Sequence, residues 1–437
     1  MDHQLEYPFY YGNNNMLTMQ YMTGLPNSSG YMRLVTELKD RKGLKGYSAF
    51  FFNLKRFEKV NRKYGQDRSD EIIRAYASTL KSFVLHDEIV GHFGGDNFMA
   101  LIHQERRGLF VSFLRYTPIK MSWMESDIVL SATIGIWDIN DDKNIDVGSV
   151  VNRPSMAMNE AKYVTHEDVA VASEEMVKQA GQRAMVIEHF DEAIENTEFE
   201  VFYQPKVDSR TKTLVGAEGL VRWNHNDEMI SPGVFIPPLE ENGQILMLDY
   251  YVLERACNDI AGWVKHGYDP VTVSVNFSRK DLEGFDLAEH IDRIIKKSGI
   301  DKKLIEVEVT ETTDKEEHGA LANFINDLSK RGIATAIDDF GTGYSSLSTL
   351  REFSASTLKI DRSFVNIDDF SWKDEVILKD IINMAKDLGM NIITEGVERE
   401  DQLKFVNQAG CFVIQGFFYD RPLPREEFEK RLLNKNY

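Results

Sequence analysis

The C-terminal half of this sequence predicts an α/β fold that closes into a barrel. Short runs of β-branched residues alternate there with amphipathic, helix-length segments, which is the pattern of βα units around a parallel sheet. Eight such strands in about 250 residues predict a TIM-like (β/α)8 barrel. Only Asp208 to Thr213 separates the first two strands, which is too short for a parallel crossover, so we expect the first strand to run antiparallel. The strand candidates begin near Val201, Leu214, Val271, Leu304, Ile333, Thr357, Asn391 and Cys411.

The length of the chain and a change in its residue pattern indicate more than one domain. Its 437 residues exceed the size of a typical single domain. From Thr165 to Gly181 a helical pattern of small residues is interrupted by acidic side chains, and we place the boundary within it. The predicted organisation is a tail over residues 1–20, a first domain over 21–177 and the barrel over 178–437.

The composition argues against several classes of function. The net charge of −19 opposes attraction to a phosphate backbone, so we expect no polymeric nucleic acid as a partner. A small phosphate ligand is compatible with this negative charge, because divalent cations bridge acidic side chains to phosphate. We expect no membrane span and no secretory signal, and therefore a cytoplasmic location, because no apolar run approaches the roughly 20 residues that a bilayer requires. The two cysteines, Cys257 and Cys411, are expected to be buried core thiols.

Polar side chains fall at the carboxyl ends of the predicted strands. The alternation in residues 304–310 places Glu306, Glu308 and Thr310 on one face, and a barrel strand turns one of its faces inward. Carboxylates inside a barrel need partners or metal ions. Barrel enzymes build their active sites at these strand ends, and oxygen ligands without histidine or cysteine suit Mg²⁺ or Mn²⁺. Further polar residues at strand ends are Glu218, Asn276, Asp338, Asp339, Lys359, Asp361, Glu395 and Gln415. Each acid taken singly is also compatible with a solvated loop or capping residue.

These residues belong to motifs that resemble the EAL family of cyclic di-GMP phosphodiesterases, from about residue 182 to the end. The signature triplet reads Glu218-Gly219-Leu220, with glycine in place of the family's alanine, and its glutamate is retained. The other motifs similar to the family are Tyr203-Gln204-Pro205, Arg222-Trp223, Phe235-Ile236-Pro237, Val275-Asn276-Phe277-Ser278, Glu308-Val309-Thr310-Glu311, Asp338-Asp339-Phe340-Gly341-Thr342-Gly343, Leu358-Lys359-Ile360-Asp361, Glu395-Gly396-Val397-Glu398 and Gln415-Gly416.

The resemblance implies a role for each matching residue. Two divalent cations, Mg²⁺ or Mn²⁺, are expected as cofactors, with Asp338 as the bridging ligand. Lys359 is expected to hold the attacking water, and Glu311 to anchor the loop that begins at Asp339, although a strand-end salt bridge or cap explains Glu311 nearly as well. One metal would be held by Glu218, Asn276, Glu308 and Asp338, and the second by Asp338, Asp339 and Glu395. The residues expected on the substrate side are Gln204, Arg222, Asp361 and Gln415.

The resemblance also implies an activity, the hydrolysis of cyclic di-GMP to linear pGpG. Two alternatives stay open at this point. A receptor that binds cyclic di-GMP without cleaving it would show the same fold, but such receptors usually lose a metal ligand, and the complete ligand set favours the enzyme. The chain could also combine this activity with synthesis of the same nucleotide.

Residues from about 20 to 170 resemble the GGDEF family of diguanylate cyclases, which implies an α/β sandwich ahead of the barrel. The signature reads Gly94-Gly95-Asp96-Asn97-Phe98, so an amide stands where the family has an acid. By the same resemblance, Asn53 stands at the other metal aspartate and Lys55 at the acid that follows it. Because two amides and an ammonium do not hold Mg²⁺ beside a triphosphate, we expect a degenerate domain without cyclase activity.

Other GGDEF positions leave nucleotide binding open. Asn61 and Asp70 match the family's guanine-reading pair, and the Gly94-Gly95 turn lets backbone N–H groups approach phosphate. An asparagine and an aspartate near a turn are equally ordinary caps. We therefore expect either weak GTP binding or a scaffold with a regulatory, dimerising role. By resemblance, the barrel implies a homodimer, which we place on its helical side.

Overall fold

The computed structural model describes residues 18–124, 126–141, 145–281, 286–310, 315–341, 352–365 and 372–437. The chain divides into two compact units between Gly181 and Gln182. Glu311, most of the predicted N-terminal tail and the loop after Gly341 lie outside the described residues. No helix within these ranges is both long enough and apolar enough to cross a bilayer.

The first unit is built on a five-stranded sheet in the order β2-β3-β1-β6-β7, with a separate two-stranded ribbon of β4 and β5. All pairings in the larger sheet are antiparallel except β6 with β7. Its strands are β1 Tyr47–Leu54, β2 Ile89–Gly94, β3 Asn97–His103, β4 Thr117–Ile119, β5 Ile128–Leu130, β6 Ala132–Asp138 and β7 Val169–Val171. Its helices are α1 Ser28–Lys42, α2 Phe57–Tyr64, α3 Gln66–Phe83, α4 Arg107–Arg115 and α5 Ser149–Asn159, and α6 Glu174–Glu195 runs across the division between the units.

Helices cover both faces of the larger sheet, so the predicted α/β sandwich is confirmed. Strand β1 is buried along its whole length, and its side chains alternate between two cores. Phe50 and Phe52 pack in the core that α3 and α4 cover, while Ala49 and Phe51 pack in the core that α1 and α5 cover. At Gly135 on β6 an added Cβ would lie 1.8 Å from a carbonyl oxygen of α5, so only glycine permits this close packing of helix on strand.

The second unit is a closed barrel. Neighbouring strands follow the order β9-β11-β12-β13-β14-β15-β16-β8, and β8 closes the ring by pairing with β9. β8 runs antiparallel to both of its neighbours, and the other strands of the ring pair in parallel. The strands are β8 Phe199–Asp208, β9 Thr213–His225, β10 Glu228–Ile230, β11 Thr272–Asn276, β12 Ile305–Thr310, β13 Ala334–Phe340, β14 Thr357–Ile360, β15 Asn391–Thr394 and β16 Val413–Gln415. The predicted eight-stranded barrel with an antiparallel first strand is thus confirmed.

Helices described around the barrel cover its outer, apolar face. Val307 and Val309 of β12 pack outward into the core beneath these helices, as their alternation with glutamates predicts. Both cysteines are buried and unpaired, which confirms the prediction of core thiols. The described helices are α7 Pro232–Asn242, α8 Ile245–Lys265, α9 Leu287–Ser298, α10 Lys315–Lys330, α11 Trp372–Asp387, α12 Glu400–Ala409 and α13 Arg425–Leu433.

The short strand β10 was absent from the sequence prediction. Among the described strands it pairs with the end of β9 alone, through a tight turn at Asn226 and Asp227. Both turn residues have left-handed φ angles, 51° and 63°, which asparagine and aspartate tolerate better than most residues. A strand of three residues is too short for its alternation to stand out, so the Asn-Asp pair was the only signal for the hairpin.

Candidate active site

Lys359 lies at the centre of the candidate site. It belongs to β14, and its side chain is fully buried inside the barrel. Its Nζ lies 3.2 Å from a carboxylate oxygen of Glu218 and 3.0 Å from one of Asp338. It also lies 2.5 Å from an oxygen of Glu308 and 2.5 Å from one of Glu395. Barrel closure therefore gathers carboxylates of β9, β12 and β13, and the one that follows β15, around a single ammonium group.

These carboxylates, with Asp339, form two groups that could each hold a cation. Ligand oxygens of Glu218, Glu308 and Asp338 lie within 4.8 Å of one another, and so do those of Asp338, Asp339 and Glu395. Asp338 belongs to both groups. An all-carboxylate donor set without histidine or cysteine fits Mg²⁺ or Mn²⁺. The residues present therefore fit two neighbouring divalent cations with one shared ligand.

Asp338 and Asp339 both face this site because the backbone departs from a regular strand. Successive strand residues normally point to opposite faces. Here the pairing of β13 with β14 shifts register between Ile337 and Phe340, and Asp339 has a left-handed φ of 53°. The Asp339 N–H donates to Asp338 Oδ1 at 2.8 Å. A bulge of this kind redirects a side chain, and bulges are frequent beside active sites.

The electrostatics of the cluster favour added positive charge. Burial, reinforced by the charges of Asp338 and Glu218, raises the pKa of Glu395 to about 8, although Lys359 opposes the shift. Burial likewise raises the pKa of Asp338 to about 6. Burial alone would lower the pKa of Lys359, but the surrounding carboxylates outweigh it and hold that pKa well above its usual range. The cluster thus has more carboxylates than one ammonium can compensate.

Amide side chains complete the inner part of the site. Asn276, at the end of β11, donates from Nδ2 to Glu218 Oε1 at 2.7 Å. Gln415 of β16 donates from Nε2 to the other oxygen of Glu218, at 2.6 Å, and lies 3.2 Å from Gln204 Oε1. Both glutamines are buried. The structure therefore places Asn276, Gln415 and Gln204 in one hydrogen-bonded chain that passes through Glu218.

Two further predicted residues lie farther out on the rim. Arg222 is half-buried on β9, where its Nη1 donates to the Val221 carbonyl at 2.8 Å. Asp361 follows β14 and accepts the Ser363 N–H at 2.8 Å. The charge of Asp361 helps to raise the pKa of Asp339, after burial, which is the larger cause. Neither residue has a hydrogen bond to the carboxylate cluster, and Glu311 lies outside the described residues.

Sequence reasoning missed Lys206, a second buried lysine beneath the rim. It lies on β8, and its Nζ donates to Ser274 Oγ at 2.6 Å and to Glu308 Oε1 at 2.8 Å. Burial lowers its pKa, but Glu308 and Glu306 outweigh burial, so the net pKa lies above the ordinary value. The available signal was alternation, because Gln204 and Lys206 share the face of β8 opposite Tyr203.

In the first unit the residues at the expected cyclase metal positions bind one another. Asn53 and Asn97 are paired in register on β1 and β3, and Asn53 Nδ2 donates to Asn97 Oδ1 at 3.1 Å. Lys162 Nζ lies 3.4 Å from Asn53 Oδ1, and Lys55 forms an ion pair with Asp168. An amide pair beside an ammonium is a poor site for a divalent cation.

The residues of this unit that could bind a nucleotide lie on α2, on α3 and where β2 turns into β3. Gly94 is the last residue of β2 and Gly95 begins the turn to β3, with φ angles of 148° and 57°. Asn61 is exposed on α2, and its carbonyl accepts the Gly65 N–H at 2.9 Å. Asp70 lies on α3, where its carbonyl accepts from Arg74 Nε at 3.2 Å. Asn61 and Asp70 therefore flank the turn that joins α2 to α3.

The fold and the site together define a (β/α)8-barrel protein whose strand ends carry a carboxylate cluster suited to divalent cations. The family model of the EAL domain matches residues 187–422, which is more than half of the chain, and the chain belongs to this family. Residues 18–167 match the family model described as diguanylate cyclase, GGDEF domain.

Comparison with known proteins gives relatives that match nearly the whole of this chain. The signaling protein YkoW of Bacillus subtilis is 31% identical over 95% of this chain and 53% of its own length. The cyclic di-GMP phosphodiesterase NbdA of Pseudomonas aeruginosa is 28% identical over 94% of this chain and 53% of its own length. This chain thus spans about half the length of these relatives. Among solved structures, the PaMucR phosphodiesterase in complex with c-di-GMP is 33% identical, with a TM-score of 0.53, over 56% of this chain and 99% of that one.

Proposed function

We propose that this chain hydrolyses cyclic di-GMP to linear pGpG at the rim of its barrel, with two divalent cations, Mg²⁺ or Mn²⁺. The observation that carries the proposal is the pair of carboxylate groups that share Asp338 and surround Lys359. Membership of the EAL family and the substrate named for NbdA and PaMucR support this choice of substrate.

The chemistry assigns separate tasks to the side chains. Glu218, Asn276, Glu308 and Asp338 would hold one cation, and Asp338, Asp339 and Glu395 the other. Two such cations, when bound, lower the pKa of a bound water and offset the negative charge of the phosphodiester. In the reaction the water oxygen bonds to phosphorus, the bond from phosphorus to the 3′ oxygen breaks, and that oxygen takes up a proton.

The positive side chains position the reacting groups. Lys359 would hold the attacking water by hydrogen bonding and stabilise charge on the phosphate. Arg222, Gln204 and Asp361 would contact the dinucleotide at the rim, the arginine through a phosphate. Gln415 fixes Glu218 through the 2.6 Å hydrogen bond and so supports the ligand set.

Product analysis tests the proposal. Protein incubated with cyclic di-GMP and Mn²⁺ is expected to release pGpG, and Glu218→Gln should lower the rate by about 100-fold or more because it removes a metal ligand. Glu228→Gln, an exposed glutamate on β10, is the matched control and should retain the rate. If the unaltered protein binds cyclic di-GMP but never cleaves it, the chain is a receptor and not an enzyme.

For the N-terminal unit we propose a regulatory role without cyclase activity. The amide pair Asn53 and Asn97 supports this assignment, since it replaces two acids with neutral groups. GTP binding through Asn61, Asp70 and the Gly94-Gly95 turn is a further hypothesis. Calorimetry with GTP tests it. If GTP gives no heat of binding and does not change the rate of hydrolysis, only the scaffold role remains. Cyclic di-GMP formed from GTP alone would contradict the absence of cyclase activity.

We also propose that the chain forms a homodimer through the helical side of the barrel. Location in the cytoplasm stays a prediction.

A further inference from the structure

Lys206 occupies a position in which a charged side chain needs a specific reason. Its exposed fraction is 4%, and it lies on the one antiparallel strand of the barrel. Its register partner on β9 is Gly216, where an added Cβ would lie 3.4 Å from Lys206 Cδ. Gly216 therefore lies directly beside the lysine stem. Isolated buried charges are strongly unfavourable, so the partners of this ammonium define what it does.

One of the two hydrogen bonds of Lys206 is directed at a proposed metal ligand. Its Nζ donates to Glu308 Oε1 at 2.8 Å, while the other buried glutamate nearby, Glu306, is 3.9 Å away. Ser274 Oγ accepts a second hydrogen bond at 2.6 Å and so fixes the ammonium from β11. Glu308 Oε2, in contrast, meets Lys359 at the centre of the carboxylate cluster. The two oxygens of Glu308 thus have distinct surroundings, one below the site and one facing it.

From this geometry we infer that Lys206 is a positioning residue that holds Glu308 Oε1 so that Oε2 faces the metal site. A carboxylate held at one oxygen presents the other with a fixed direction, which is how the outer partners of metal ligands act in metalloproteins. Glu306 has a separate partner, because Thr357 donates to its Oε1 at 2.5 Å. The inference rests on the metal site proposed above and adds a residue that touches neither cation nor substrate.

The test measures metal affinity directly, so that it does not depend on hydrolysis. Lys206→Met keeps the unbranched stem as far as Cε and removes the ammonium donor. The full-length variant is expected to bind Mn²⁺ about 10- to 100-fold more weakly in calorimetry, and its hydrolysis should recover as Mn²⁺ is raised. Glu306→Gln is the matched control, since it removes a carboxylate beside Lys206 and leaves both hydrogen bonds of Lys206 in place, and it should bind Mn²⁺ with the affinity of the unaltered protein.

A second variant decides the question if Lys206→Met does not fold. Ser274→Ala removes only the hydroxyl that fixes the ammonium, and it should weaken Mn²⁺ binding several-fold. The inference is overturned if Lys206→Met folds and binds Mn²⁺ with unchanged affinity. If Lys206→Met does not fold, unchanged Mn²⁺ affinity of Ser274→Ala overturns it. If the unaltered protein binds Mn²⁺ but does not cleave cyclic di-GMP, the proposed activity fails while the role of Lys206 stands. If the unaltered protein binds no Mn²⁺, both fail.

Discussion

The two buried lysines of the barrel are expected to have opposite effects on metal binding. Lys359 Nζ contacts four carboxylates that face the cation site, whereas Lys206 supports one of them from below. Lys359 therefore competes with a cation for the same oxygens, and Lys206 does not. The contrast follows from geometry, because both lysines are buried and both have raised pKa values.

Replacing Lys359 with methionine should separate metal affinity from turnover. Without the ammonium, the repelling charge beside the cations is lost, and Mn²⁺ should bind at least about threefold more tightly. Hydrolysis should fall by about 100-fold or more, because the group that we propose to hold the attacking water is absent. Calorimetry with Mn²⁺ and pGpG formation at saturating metal check the two effects. Weaker Mn²⁺ binding would show that Lys359 supports the ligands instead of competing with them.

The glycine inside the signature triplet is expected to be a neutral departure from the family pattern. A Cβ at Gly219 would meet Val201 Cγ1 at 3.3 Å, the Ser274 carbonyl oxygen at 3.4 Å and Val275 Cγ1 at 3.5 Å. These contacts require only a small movement of Val201.

Gly219→Ala should therefore keep its rate of hydrolysis within about twofold. It should also gain up to about 0.5 kcal/mol in free energy of unfolding, because alanine lowers the entropy of the unfolded chain and the crowding at Val201 offsets part of this gain. Thermal unfolding and initial rates measure both. A tenfold loss of activity would mean that the missing methyl group is required for function.

At the scale of elements, the hairpin of β2 and β3 and its neighbour β1 set the metal properties of the N-terminal unit. Asn53 and Asn97 face each other across β1 and β3. Acids at both positions would place like charges directly opposite, which costs about 0.2–1 kcal/mol in a sheet. The amide pair removes that repulsion together with the metal ligands.

The double substitution Asn53→Asp with Asn97→Glu should restore a cation site. In EDTA the first unit of the double variant should unfold at a lower temperature than that of the unaltered protein. Mg²⁺ with GTP should restore its unfolding temperature. Binding of GTP in the presence of Mg²⁺ should increase at least about tenfold over the unaltered protein, since the cation offsets the phosphate charge. Asn53→Asp alone is the control and should give a smaller increase. An unchanged affinity would mean that the amides are not what limits nucleotide binding.

At the scale of the whole molecule, three apolar side chains of α11 are exposed on the helical side of the barrel. Trp372 is 72% exposed, Val376 46% and Ile377 48%, all on one helix. A second copy of the barrel is the occupant that we propose for this surface, because exposed apolar groups of this size gain stability when they are buried between subunits.

Trp372→Glu combined with Ile377→Glu should convert the dimer to a monomer in light scattering at micromolar protein. The reason is that two carboxylates would be buried at the interface without partners. Met247→Glu, at a residue of α8 that is 48% exposed, is the matched control and should leave the mass unchanged. If the unaltered protein is already monomeric, or if the double variant stays dimeric, α11 is not the interface.

Local patterns in the sequence were sufficient for the barrel and for the types of residue in the site. The alternation of β-branched runs and helices gave the eight strands, and the short link from Asp208 to Thr213 required an antiparallel first strand. The positions of Glu218, Asn276 and Lys359 at strand ends could also be predicted from the neighbouring sequence. Each of these depends on neighbouring residues and on the period of the strand, so it can be predicted without knowing what packs against it.

Only the tertiary structure decided how these side chains are arranged. Asp339 faces the cluster because a bulge and a left-handed φ break the strand alternation, and the sequence pattern alone would turn it away from Asp338. Lys206 was missed because its partners, Ser274 and Glu308, lie 68 and 102 residues away in the chain. Closure of the barrel brings such distant residues into contact, and the partner of a buried charge is set by that closure. The sequence by itself therefore determined the fold and the chemical character of the site, while the closed barrel determined which carboxylate oxygens lie close together.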